Sequence, residues 1–115
     1  MPKKYRLTPQ ADSDLESIFI YTHTRWGMLQ AEKYLGELDA YMQKLADGKL
    51  KGKSCKNLIQ KSSLQEGQNV DSLYYYHANK HYIIYQTVRS GVDILTLYHD
   101  KMNLEQRLME LPETL

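Results

Sequence analysis

The chain has 115 residues, 42% hydrophobic and 25% charged, a composition suited to one globular domain with a single modest core. Its formal net charge of +1 excludes strong, indiscriminate attraction to nucleic acid by the whole-molecule field, so any such binding needs a local patch. One cysteine, Cys55, excludes an internal disulfide, no stretch approaches the ~20 apolar residues of a membrane span, and MPKKYRL lacks an apolar signal core, so a cytoplasmic location is expected.

Residues Lys4 to Leu7 are expected to form a short strand. Thr8-Pro9 then opens a helix, with a hydroxyl free to cap and a proline where its missing N–H costs nothing. Asp12, Asp14 and Glu16 follow, where negative charge suits the positive end of the helix dipole. Ala11, Leu15, Ile18, Phe19 and Trp26 make one apolar stripe, which Gly27 interrupts. Ala31, Tyr34, Leu35, Leu38, Tyr41, Met42 and Leu45 make a second, ended by Gly48 in the place of a C-terminal cap. Two helices joined so tightly must lie antiparallel.

From 48 to 72 the periodicity disappears. Lys49, Lys51, Lys53, Lys56 and Lys61 arrive with no acid until Glu66, and the segment reads as a long basic and polar loop. Strands resume as Leu73 to His77, Tyr82 to Val88 and Val92 to His99, rich in β-branched and aromatic residues and separated by Ala78-Asn79-Lys80 and Arg89-Ser90-Gly91. They predict a three-stranded antiparallel meander. Its last two strands are apolar on both faces, so one face packs on the helices and the other needs a cover. A short C-terminal helix starting at Asn103, with Leu104, Leu108 and Leu111, is the natural cover. The expected fold is α+β over one domain, 1–115: an N-terminal strand, an antiparallel helix hairpin packed on an antiparallel β-meander, and a short C-terminal helix.

The segment LTPQADSDLESIFIYTHTRWG followed by QAEKYLGELDAYMQKLAD resembles the opening helices of the ParE branch of the RelE/ParE toxin superfamily. GKSC at Gly52 to Cys55 is similar to that family's post-helix loop, HYIIYQTV at His81 to Val88 to its H-V-I-F-Y strand, and ILTLYHDKMNLEQRL to its closing pattern. The chain departs from the pattern in a longer stretch after Cys55 and in Tyr74, where many relatives carry a basic residue. The resemblance implies the toxin of a type II toxin–antitoxin pair, one that binds DNA gyrase and is silenced by a ParD-like antitoxin, as a homodimer or in a hetero-oligomer with it. Relatives of the RelE type share the fold but cut messenger RNA on the ribosome. A non-toxic, complex-forming relative is the third possibility.

Cutting RNA through its 2′-OH requires a general base, a general acid and cations around the phosphate. Lys80, His81, Arg89, Tyr98 and His99 are the residues that could supply them. His81 and His99, however, fall where the resemblance to ParE implies histidine without nuclease activity, so no catalytic residue, metal or cofactor is expected. For target contact the candidates are Lys49, Lys51, Lys53, Lys56, His99, Lys101 and Arg107. For antitoxin contact they are the apolar Ile18, Trp26, Tyr34, Tyr75 and Tyr85. The run Tyr74-Tyr75-Tyr76 could stack on nucleic-acid bases, but a stacking platform needs cations on the same sheet, and the lysines collect in the loop before it. Packing and partner contact are therefore the expected roles of these rings.

Overall fold

The computed structural model describes residues 4–55 and 72–101. The expected C-terminal helix, the middle of the 48–72 stretch, Lys56 and Arg107 lie outside the described residues. In chain order the elements are β1 (Lys4–Leu7), α1 (Pro9–Trp26), α2 (Met28–Asp47), β2 (Lys53–Ser54), β3 (Leu73–Ala78), β4 (His81–Val88) and β5 (Gly91–His99).

Thr8 performs two tasks at the start of α1. Its extended backbone lets Oγ1 accept from the Ala11 N–H at 3.1 Å, while the same hydroxyl donates to the Leu95 carbonyl at 2.7 Å. One side chain thus caps the helix and ties it to β5. Asp14 adds a second tie: its carboxylate accepts from the Thr96 hydroxyl and, at 3.0 Å, from the Leu97 N–H. That N–H sits beside a β-bulge, because Ile84 pairs with Thr96 and Tyr85 with Ile94, leaving Leu95 as the extra residue of β5. The helix charge therefore satisfies a polar group at the place where the strand ladder is disrupted. At the other end of the hairpin α2 stops at Gly48, whose φ of +78° is left-handed and favours glycine.

The sheet has five strands in the order β1-β5-β4-β3-β2. The expected meander is present as β3, β4 and β5, and β1 joins it parallel to β5, with Leu7 opposite Ile94. One expectation is corrected. Lys53–Ser54, placed by the sequence inside a structureless loop, forms an antiparallel edge strand with Lys53 opposite Tyr75 and Ser54 opposite Tyr74.

The helix hairpin covers one face of this sheet. Leu38, Met42 and Leu45 of α2 and Ala11 and Ile18 of α1 meet Ile83, Tyr85, Val92, Ile94 and Leu97 in one buried cluster. Each large aliphatic side chain buried there stabilises the fold by roughly 1.5–3 kcal/mol. Ile84 is also fully buried, but one residue out of step with Ile83, so it belongs to the opposite face, as strand alternation requires. The segment expected to cover that face lies outside the described residues.

Candidate functional site

Two groups of polar side chains stand out, and the strand register fixes both. The first gathers at the end of the sheet where β3 turns into β4 and β5 finishes. His81 pairs with His99 across the ladder, and their rings meet edge-on with centroids 5.2 Å apart. Tyr34, carried there by the α2 stripe, accepts the Lys80 N–H at 3.3 Å and lies 2.6 Å from His81 Nδ1. Burial raises the Tyr34 pKa, so the phenol stays neutral and shares a hydrogen bond with Nδ1. Burial also pushes His81 down to about 4, with His99 reinforcing the shift and Asp100 opposing it. At neutral pH His81 is therefore an uncharged ring whose Nδ1 is already occupied.

His77 Nε2 lies 3.2 Å from Asp100 Oδ2, and this bond, with the nearby imidazoles, holds the Asp100 carboxyl below its usual range. His99 Nδ1 accepts from the Lys101 N–H at 3.1 Å. It also lies 3.4 Å from Asp100 Oδ1, but a ring nitrogen that accepts from Lys101 cannot also donate to the carboxylate, and the shorter backbone bond decides.

The five residues named for RNA cleavage do not form one site. Lys80, His81 and His99 share this end of the sheet. Tyr98 pairs with Tyr82, one residue out of step, and so belongs to the opposite face. Arg89 sits in the β4–β5 turn, roughly 26 Å along the strand from His81 at ~3.3 Å per residue. A shallow groove of about 310 Å³ lies nearby, lined by Glu37, Ala40, Tyr41, Lys44 and Asn79, but it takes in none of the histidines. Asn79 closes one side of it by donating to Glu37 at 3.0 Å.

The second group is a basic ridge. Between Gly48 and Cys55, Lys49, Lys51 and Lys53 are exposed while Leu50, Gly52 and Ser54 turn inward, the alternation of an extended chain. Gly52 anchors it: its N–H donates to Tyr85 Oη at 2.7 Å. A Cβ at Gly52 would lie 2.4 Å from the Tyr75 carbonyl oxygen, so no larger residue lets the segment approach the sheet this closely. Beyond it Cys55 is fully buried, and burial pushes its thiol up to about 12, leaving it a neutral packing residue. His99 and Lys101 are not part of this ridge; sheet spacings put His99 roughly 17 Å from Lys53.

The register also reveals what the sequence concealed. Lys53 lies directly opposite Tyr75 and so shares its face, away from the helices. On that face Tyr75 meets Tyr82 edge-on at 5.9 Å, His77 packs on Tyr82 at 4.8 Å, and Tyr98 pairs with Tyr82 on β5.

Of the residues named for antitoxin contact, Ile18 and Tyr85 are buried in the core and offer no surface to a partner. Their place in the helix stripe and the central strand explains why: both face the hairpin–sheet interface. Tyr34 and Tyr75 are half-buried, and Trp26 is 67% exposed. Around Trp26 the tip of the hairpin also exposes Ile20, Tyr21, Met28 and Leu29, the last at 84%. These four were missed. The available signal was that large apolar residues lie off both helix stripes, which marks a partner surface when they cluster.

The family model described as ParE toxin of type II toxin-antitoxin system, parDE, matches residues 5–104. Toxin ParE1 of Mycobacterium tuberculosis is 29% identical over 109 residues, covering 94% of this chain and 100% of that protein. Toxin ParE1 of Caulobacter vibrioides is 29% identical over 106 residues, covering 92% of this chain and 98% of its own. Among solved structures, the chromosomal ParDE TA system from P. aeruginosa aligns with a TM-score of 0.62 at 13% identity, over 85% of this chain and 96% of that one, a likeness of fold.

Proposed function

The chain belongs to the ParE toxin family of type II toxin–antitoxin systems, and on that premise we propose that it acts in the cytoplasm by binding DNA gyrase, without a chemical step of its own, until a cognate ParD-like antitoxin neutralises it. The observation that carries the non-catalytic part is the state of His81. A general base must be free to take a proton near neutral pH. His81 has its Nδ1 held by Tyr34 and a pKa of about 4, and the arginine that would complete a phosphate site stands at the far end of the strand.

Gyrase contact is assigned to Lys49, Lys51 and Lys53 on the ridge with Lys56 beyond it, and to His99, Lys101 and Arg107 toward the end of the chain. Exposed lysines on an anchored backbone steer a macromolecular partner without needing to order a loop first. Antitoxin contact is assigned to Trp26, Tyr34 and Tyr75, supported by the exposure of Trp26 within an apolar hairpin tip.

The test uses the purified chain with gyrase and supercoiled plasmid. Inhibited supercoiling with accumulated cleaved DNA, relieved by the antitoxin, is the expected result. Silence in that assay together with messenger RNA cut in cell-free translation, and uncut with His99→Ala, would replace the proposal with the RelE-type endonuclease. Antitoxin binding with neither activity would leave a complex-forming relative.

A further inference from the structure

We propose that the tip of the helix hairpin, centred on Trp26 and Leu29, packs against the same tip of a second copy of this chain.

The hairpin overreaches the sheet it covers. The Thr8 N–H bonds the Ile94 carbonyl at 3.0 Å and Asp14 takes the Leu97 N–H, so α1 runs alongside β5 in the same direction. β5 ends at His99, only ~7 Å beyond Leu97, a distance that a helix covers in roughly four or five residues. From about Phe19 onward the hairpin therefore projects past the end of that strand. Every residue from 20 to 30 is exposed except Thr22. Ile20 lies about 200° round α1 from the buried Ile18, and Leu29 about 180° round α2 from the buried Leu38. Both point away from the sheet, so no strand can cover them.

The size of the patch fits a pair of identical surfaces. Ile20, Tyr21, Trp26, Met28 and Leu29 leave roughly 600 Å² of mostly apolar surface in water, taking ~200 Å² for each side chain in full. That is the upper end of what a monomer carries without a partner. Two such tips together bury ~1,200 Å², where specific interfaces begin, and a polar rim adds to it. Composition agrees: aromatic residues, Met and Arg are enriched in interface cores, and Arg25 already lies over the Tyr21 ring, 5.2 Å from its centroid.

Charge favours a copy over a foreign partner. The rim holds Arg25 and Lys33 against Glu32, and among the described residues Glu32 and Lys33 form no ion pair. A strongly acidic or basic partner meets a like charge there, whereas a two-fold axis sets each rim's unlike charges against one another. The formal charge of +1 leaves little repulsion between copies. On the reading that gives Trp26 to the antitoxin, dimer and antitoxin complex are alternatives; the dimer itself does not depend on that reading.

The experiment is sedimentation equilibrium of the purified full chain over roughly 1–200 μM, the range that a ~1,200 Å² interface calls for. A reversible monomer–dimer equilibrium is expected. Leu29→Glu and Trp26→Ala are each expected to weaken it at least ~tenfold. Ser13→Glu, at the exposed opposite end of α1, is expected to leave it within about twofold. Circular dichroism and the melting temperature check that each variant is folded; both tip positions are exposed, so neither change empties a core. A single monomer mass across the range would overturn the proposal. So would a dimer that both tip variants leave intact, or one that Ser13→Glu dissociates as readily as they do.

Discussion

The Tyr34 hydroxyl is clamped between the Lys80 N–H, from which it accepts, and His81 Nδ1, with which it shares a hydrogen bond, so one phenol from α2 ties down both the β3–β4 turn and a half-buried imidazole. That arrangement makes the fold acid-sensitive in a definite direction. The folded pKa of His81 lies near 4, below its ordinary 6.5, so between those values the unfolded chain binds more protons than the folded one. The His81 contribution is therefore fully present above about pH 6.5 and is lost as pH falls toward 4. At ~1.4 kcal/mol per unit, and discounted because the ring is partly open to solvent, the loss is roughly 1–2 kcal/mol. Urea unfolding at pH 7, 5.5 and 4.5, compared with His81→Gln, isolates it: the variant's curve should be flatter by that amount.

Removing the phenol oxygen tests the clamp itself. Tyr34→Phe leaves the Lys80 N–H and His81 Nδ1 without their shared partner and should cost about 1–2 kcal/mol. Histidine titration followed by NMR should leave the His81 pKa well below 6.5, since burial and His99 hold it down. Gyrase inhibition should persist wherever the variant is folded, as the proposed binding action without a chemical step requires.

Asp14 offers a second structural test. Its carboxylate accepts from the Thr96 hydroxyl and the Leu97 N–H at the bulge, so Asp14→Ala strands both donors in a part-buried site. The expected cost is about 2–3 kcal/mol by chemical denaturation. Hydrogen exchange at Leu97 should quicken well before that of β4.

Two glycines should respond with opposite signs. Gly52→Ala drives a methyl group to 2.4 Å from the Tyr75 carbonyl oxygen, which must lift β2 from the sheet edge at a cost of roughly 1–3 kcal/mol. Gly36→Ala, inside α2 with no atom within 4 Å of the new methyl, should gain about 0.5–1 kcal/mol. Thermal melts of the two variants settle both, and Gly52→Ala should also blunt gyrase inhibition by releasing the ridge.

Reversing the ridge separates surface from scaffold. Lys49→Glu, Lys51→Glu and Lys53→Glu together should weaken gyrase inhibition at least tenfold while shifting stability by no more than ~0.5 kcal/mol each, as exposed substitutions do. A supercoiling titration at two salt concentrations is the measurement.

Both helices and all three meander strands were legible because each buries one face and repeats its apolar residues at the matching period. β2 was not legible. Its alternation Lys-Leu-Lys-Gly-Lys-Ser was present, but with one large apolar residue among the inward positions it resembled a charged loop, and the reason for its inward turn, Gly52 under Tyr85, is a contact across the sheet. Leu95 was likewise hidden as a bulge, since Ile94 and Leu95 read equally well on either face until pairing with β4 is known. The same blindness assigned Ile18 and Tyr85 to a surface. An apolar residue on a stripe announces burial, and nothing local says whether the covering layer is the protein's own or a partner's. At the sheet end the sequence offered His81 and His99, yet the hydroxyl that bonds His81 belongs to Tyr34, 47 residues earlier in the chain.

The parallel seam between β1 and β5 has a consequence for synthesis. Arg6 and Asp93, joined across it, are 87 residues apart, and Leu7 finds its place only against Ile94. β1 must wait for β5, so everything between them has to leave the ribosome before this seam can close, and a product cut short of β5 leaves β1 without its partner strand.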